Sequence, residues 1–164
     1  MFRKTACMKG RISMKFTVDT KISEVFALPE FRGLSKYLIY SPAPFVPEEG
    51  RDDPASGTIR RLSAIGWSPE GIVSGLNYLY EETVNGRMTQ YFIYPEEACK
   101  DNELKKDVNV IRLLPEKEGA EKTSVVLAAG GAYNSVCTMV EALPTARHFS
   151  EAGYPVYLVT YRVG

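Results

Sequence analysis

The run Thr123-Ser-Val-Val-Leu-Ala-Ala129 closes on Gly130-Gly131, and a second apolar run, Val156–Tyr161, follows a helical stretch at 140–152 that ends at Gly153 before Pro155. Strand, glycine turn, helix, strand is a βαβ unit, because two parallel strands can be joined only through a crossover. That unit makes the second half of the chain α/β. The first run lacks polar alternation, so it predicts a strand covered on both faces, as in parallel sheets. Such a sheet takes helices on both sides, and only one helix is available after residue 123. An incomplete sheet is expected, as if the chain were cut short.

Upstream, the patterns are shorter. In DTKISEVFAL, Asp19 or Thr20 is placed to cap a helix whose Ile22, Val25, Phe26 and Leu28 share one side, with Pro29 ending it. SPAPFVPEEGRDDPASG (41–57) predicts an irregular surface loop pinned by Phe45 and Val46. Ser68 as N-cap, Pro69 at the first helical position and Glu70 then open a helix at 69–85. Ile72, Leu76, Leu79, Tyr80 and Thr83 form its apolar stripe, and Asn85-Gly86 supplies a left-handed stop. RMTQYFIY (87–94) alternates as a strand, and Val108–Leu114 is a second strand stopped by Pro115. Between them, EEACKDNELKKD holds eight charges in twelve positions and predicts a solvated loop. Three units are expected: a disordered or extended N-terminus at 1–14, a helical extension at 15–86, and the first strands of an α/β domain at 87–164.

Composition excludes several classes. Twenty basic against twenty acidic side chains give no net charge, so the chain lacks the cationic excess that phosphate binding needs. No apolar run reaches the length of a membrane span. The scattered Cys7, Cys99 and Cys137 form no disulfide scaffold, and one histidine, His148, cannot build a His-rich metal site. The basic N-terminus has no apolar segment behind it, so it is not read as a secretory signal. A cytoplasmic protein is expected, with no cofactor, metal, nucleic acid or membrane partner.

The segments VVLAAGGAYNSV and EAGYPVYLVTYRVG resemble the α/β-hydrolase superfamily, in its esterase and lipase branch with an H-G-G-G or P-G-G-G-Y turn after the third strand. Gly130, Gly131, Ala132 and Tyr133 match the G-G-G-Y portion. The resemblance covers about residues 87–164. It implies an incomplete α/β-hydrolase-like sheet with an N-terminal helical extension. It also implies an oxyanion hole built from the N–H groups of Gly131 and Ala132, with Gly130 and Tyr133 lining the substrate pocket. Amides aimed at a developing oxyanion are worth about 3–4 kcal/mol per donor. Ala129 replaces the family's His or Pro, and Ala132 replaces its third glycine, where a Cβ restricts φ. Two other readings of the turn stay open. One is a plain tight βα connection; the other is a dinucleotide turn, against which GGAYNS does not satisfy G-x-G-x-x-G.

No G-x-S-x-G occurs, so the chain has no nucleophile elbow. His148 lies in the helix after the turn, whereas the base of this superfamily comes last in the chain. Ser124 and Ser135 have no base in the right order, and Cys137 has no neighbouring histidine. The pairs Asp52-Asp53 and Glu96-Glu97 sit in polar loops. No catalytic side chain can be named. The expectation is the N-terminal portion of a serine ester hydrolase, a carboxylesterase or carbohydrate acetyl esterase acting on an acyl ester. It would contribute the turn and be inactive alone, with nucleophile, acid and base beyond Gly164. The alternative is a non-catalytic binding protein. Either way, a homodimer or a partner chain is expected to cover the exposed sheet edge.

Overall fold

The computed structural model describes residues 15–42, 57–115 and 123–164. The extreme N-terminus, Phe45, Val46, Asp52, Asp53 and residues 116–122 lie outside the described residues.

Helix α1 spans Ile22–Phe26. Neither Asp19 nor Thr20 caps it. Lys21 occupies the N-cap without a side-chain bond, and the Ile22 N–H donates to the Gly57 carbonyl at 3.0 Å. The reason is tertiary: Lys21 bridges to Thr58, which delivers a backbone acceptor to the helix end. Asp19 instead holds Arg60 through two bonds of 2.9 and 3.0 Å, and Thr20 Oγ1 accepts from the Thr17 N–H. Pro29 starts a 3₁₀ turn, Pro29–Phe31, and two more follow at Ser35–Tyr37 and Ile59–Ile65.

Helix α2 runs Pro69–Val84 as its signals predict, with Ser68 Oγ accepting from the Gly71 N–H at 3.1 Å. Ile72, Leu76 and Leu79 are fully buried. Asn77, also buried, takes the N–H groups of Lys15 and Phe16 on its Oδ1 and donates to the Phe16 carbonyl, tying the start of the described chain to α2. Glu82 is only 2% exposed and grips Arg87 through both carboxylate oxygens. Gly75 sits where α2 meets the segment that begins α3 (Leu143–Glu151): a Cβ there would lie 2.7 Å from the Leu143 carbonyl carbon.

Four strands form one mixed sheet: β1 (Met88–Phe92), β2 (Asn109–Leu113), β3 (Val125–Ala128) and β4 (Val156–Thr160), in the order β1-β2-β4-β3. Only β3 and β4 are parallel. Register places Ile111, Leu113, Val156 and Leu158 on one face, and all four are buried. Tyr91, Val110, Arg112, Tyr157, Val159, Val126 and Ala128 share the other face, where none is buried. The expectation that Thr123–Ala129 is covered on both faces is therefore corrected: Val126 is 66% exposed. Three of the four strands form antiparallel ladders, in which one face faces water as a rule, and β3 is an edge strand. One core joins Phe16, Val25, Phe31 and Leu38 to Leu76, Leu143 and the sheet, so the N-terminal segment and the βαβ unit share their buried surface.

The charged stretch after β1 is more than a solvated loop. It folds into 3₁₀ turns at Glu96–Cys99 and Glu103–Asp107, and Asn102 caps the second through the Leu104 N–H. Asp107 accepts the hydroxyls of Tyr37 and Tyr40 at 3.0 and 3.1 Å and pairs with Lys36. Burial opposes ionisation of Asp107, but Lys36 and the two hydroxyls outweigh it and hold its pKa below the ordinary value. Burial first, then Asp107, raises Tyr37 and pushes Tyr40 up to about 12.

Two outcomes follow from this packing. Gly75→Ala should destabilise the chain by about 1–3 kcal/mol in urea titration, despite alanine's better helix propensity, because the clash is with backbone. The tyrosines stay neutral in the folded state above their ordinary pKa of 10.0, so stability they contribute at neutral pH is lost as pH rises toward 12. Tyr37→Phe/Tyr40→Phe should flatten the alkaline fall of the urea midpoint. Asp107 acts in the opposite direction, and its contribution is lost as pH drops through the carboxylate range.

Candidate functional site

The turn that follows β3 is fixed by bonds to most of its backbone carbonyls and to the N–H groups at its two ends. The Ala129 carbonyl accepts the Tyr161 hydroxyl at 2.7 Å. The Gly130 N–H donates to Glu141 Oε2 at 2.5 Å, and the Gly130 carbonyl accepts the Cys137 N–H at 2.9 Å. The Gly131 carbonyl takes the N–H groups of Asn134 and Ser135 at 3.0 and 3.1 Å, with the Ser135 hydroxyl at 3.3 Å. Gly164 donates to the Tyr133 carbonyl, Ser41 Oγ to the Asn134 carbonyl, and Tyr40 and Val136 exchange a pair of backbone bonds. Among the described residues, the N–H groups of Gly131, Ala132 and Tyr133 alone in this stretch donate to nothing.

Their freedom is a property of the backbone path. Ala132 and Tyr133 have φ of 53° and 60°, and the bonds from Asn134 and Ser135 back to Gly131 close one left-handed helical turn. The leading N–H groups of any helical turn have no acceptor within it. Three consecutive amides are thus left unpaired at one end of the turn, and such successive N–H groups make a seat for negative charge. Holding an L-residue left-handed costs about 1–2 kcal/mol, so two in succession mark a strained segment that the surrounding bonds must over-determine.

The two glycines serve different ends. Gly131 has φ 147°, and a Cβ there would sit 2.1 Å from the Ser135 carbonyl oxygen. Gly130 instead makes room for a carboxylate: its Cβ would lie 3.0 Å from Glu141 Oε2. Of the four turn residues that the sequence singles out, Gly131 and Ala132 present free amides. Gly130 has its amide engaged, and the side chain of Tyr133 stands 80% exposed. Glu141 and Tyr161 are the residues that sequence reasoning missed. Glu141 lies in a π-helical turn, Thr138–Ala142, that leads into α3, and no periodicity in the sequence signals such a turn.

The remaining candidates do not form a nucleophile–base pair at the turn. His148 is exposed on α3 and makes no side-chain bond to any described residue. Ser135 Oγ lies 3.7 Å from Cys137 Sγ, and burial pushes the Cys137 thiol up, which keeps it protonated. Burial, then Tyr133, Cys137 and Glu141, raise the Tyr161 phenol, so it keeps the proton it donates. An open cleft between α2 and α3 is lined by Tyr78, Glu81, Glu82, Arg87, Arg147 and Glu151, where Arg87 pairs with Glu82 and Arg147 with Glu151. Among the described residues no three His, Cys, Asp or Glu side chains are grouped to share a metal ion, and no helix is long and apolar enough to cross a membrane. No protein-family model, curated protein or solved structure matches the chain.

Gly131→Ala should cost at least about 2 kcal/mol, because it combines a forbidden φ with a backbone collision. Ala132→Gly removes strain without touching a contact and should raise stability by up to about 1 kcal/mol. Paired urea midpoints measure both.

Proposed function

We propose that this chain supplies the oxyanion turn of a serine ester hydrolase of the α/β-hydrolase kind and is inactive without further chain. The observation that carries the reading is the set of free amides at Gly131 and Ala132, at the C-terminal end of a strand parallel to its neighbour. Carboxyl ends of parallel strands are where α/β sheets bind their ligands. Strand order supports it as well: among the described residues β3 has β4 on one side and no strand on the other, where the hydrolase arrangement has the strand bearing the nucleophile.

In the reaction this implies, a serine beyond Gly164 attacks the ester carbonyl as a base, also beyond Gly164, takes its proton. The carbonyl oxygen becomes an oxyanion, and the N–H groups of Gly131 and Ala132 donate to it. Because the turn is already held by its other bonds, no reorganisation is needed as charge develops. The acyl and alcohol groups are not specified by these residues, so the substrate class stays at acyl esters, carbohydrate acetyl esters included.

A second reading, a non-catalytic binding protein, is favoured by one observation: no serine or cysteine among the described residues bonds to His148. The two differ in what adjoins the turn. On the first, the coding sequence after Gly164 contains G-x-S-x-G within about a hundred residues; its absence there would sink the enzyme claim. The 164-residue chain itself should not turn over a short nitrophenyl ester. Turnover abolished by a serine-directed organophosphate would mean that a nucleophile lies within this chain. Acetate, as a probe for the seat, should shift the amide resonances of Gly131 and Ala132 ahead of all others.

A further inference from the structure

The geometry points to Glu141 as the positioning residue of the turn; the inference deepens the oxyanion reading and its catalytic meaning rests on it. The Gly130 N–H is the amide immediately before the two proposed donors, and it belongs to the peptide group by which the chain enters Gly130. Glu141 Oε2 accepts that N–H at 2.5 Å, while the Cys137 N–H donates to the carbonyl of the same residue. Gly130 is therefore held at both ends by the segment that leads into α3. Its missing side chain is what lets the carboxylate approach. The Glu141 side chain is delivered from a π-helical turn, where one extra residue per turn changes the direction in which side chains project, and such turns recur at functional sites. The hydroxyl of Tyr161 completes the hold one residue earlier, on the Ala129 carbonyl. Glu141 does not donate to substrate; it fixes the peptide group at the entrance to the turn whose path leaves the next amides unpaired.

Charge and position can be separated, because glutamine keeps an acceptor oxygen and loses the charge, while alanine loses both. The full 164-residue chain and its Glu141→Gln and Glu141→Ala variants are compared by amide hydrogen exchange and by acetate titration of backbone resonances. The Gly130 amide should be protected in the wild type and in Glu141→Gln, and should exchange about tenfold faster in Glu141→Ala, with α3 protection retained. Acetate should bind Glu141→Gln more tightly than the wild type, since a nearby negative charge is gone. It should bind Glu141→Ala about fivefold more weakly than Glu141→Gln, since only the hold on Gly130 differs. A Gly130 amide that exchanges freely in the wild type, or acetate bound measurably and equally by the two variants, overturns the assignment. If Gly130 protection follows Glu141 but acetate moves no amide in any of the three chains, the positioning role stands and the hydrolase reading falls. Should Glu141→Ala fail to fold, the wild type and Glu141→Gln decide. A protected Gly130 beside freely exchanging Gly131 and Ala132 upholds the assignment, and protection of all three overturns it.

Discussion

The carbonyl oxygen of Gly131, gathering the N–H groups of Asn134 and Ser135, is the point on which the rest of the site depends. Those two bonds close the left-handed turn, and the turn is what leaves the amides of residues 131–133 without acceptors. Nothing at this place is stable alone. Two L-residues are held at positive φ, and a single helical turn gains too few bonds to form unaided. The strain is balanced by neighbours on every side: Tyr161 below, Glu141 and Cys137 from the segment leading into α3, Tyr40 pairing with Val136, and Gly164 reaching back to Tyr133.

That dependence explains why the N-terminal segment matters to the turn. Tyr40 bonds to Val136, Leu38 accepts from the Met139 N–H, and Tyr37 and Tyr40 are anchored in turn by Asp107. The segment from Phe16 to Tyr40 buries its apolar side chains in the same core as the sheet. It acts as a brace, and the brace ends at the residues that bound the turn.

Much of the framework was legible in the sequence because it rests on local signals. Ser68-Pro69 and Asn85-Gly86 delimit α2 through capping chemistry that does not need the rest of the fold. The strands at 88–92, 109–113, 125–128 and 156–160 follow from hydrophobic pattern and punctuation, and the glycine pair marks the turn. What was not legible is what depends on partners distant in sequence. The cap of α1 failed because its acceptor comes from Gly57, and β3 lost its outer cover because strand order is not written in periodicity. The same holds for the site. Its amides could be named from the glycine motif, whereas Glu141 and Tyr161 act through single contacts across 11 and 32 residues.

Among the described residues no strand pairs with the outer edge of β3, and this has a consequence for assembly. A strand added in parallel along that edge would finish level with Ala128, beside the unpaired amides, because parallel neighbours end at the same side of a sheet. Extending the sheet and walling the seat for negative charge would then be one event instead of two. A single register choice at that edge would decide both whether the sheet is shielded from unwanted pairing and whether the amides face a closed chamber or open water.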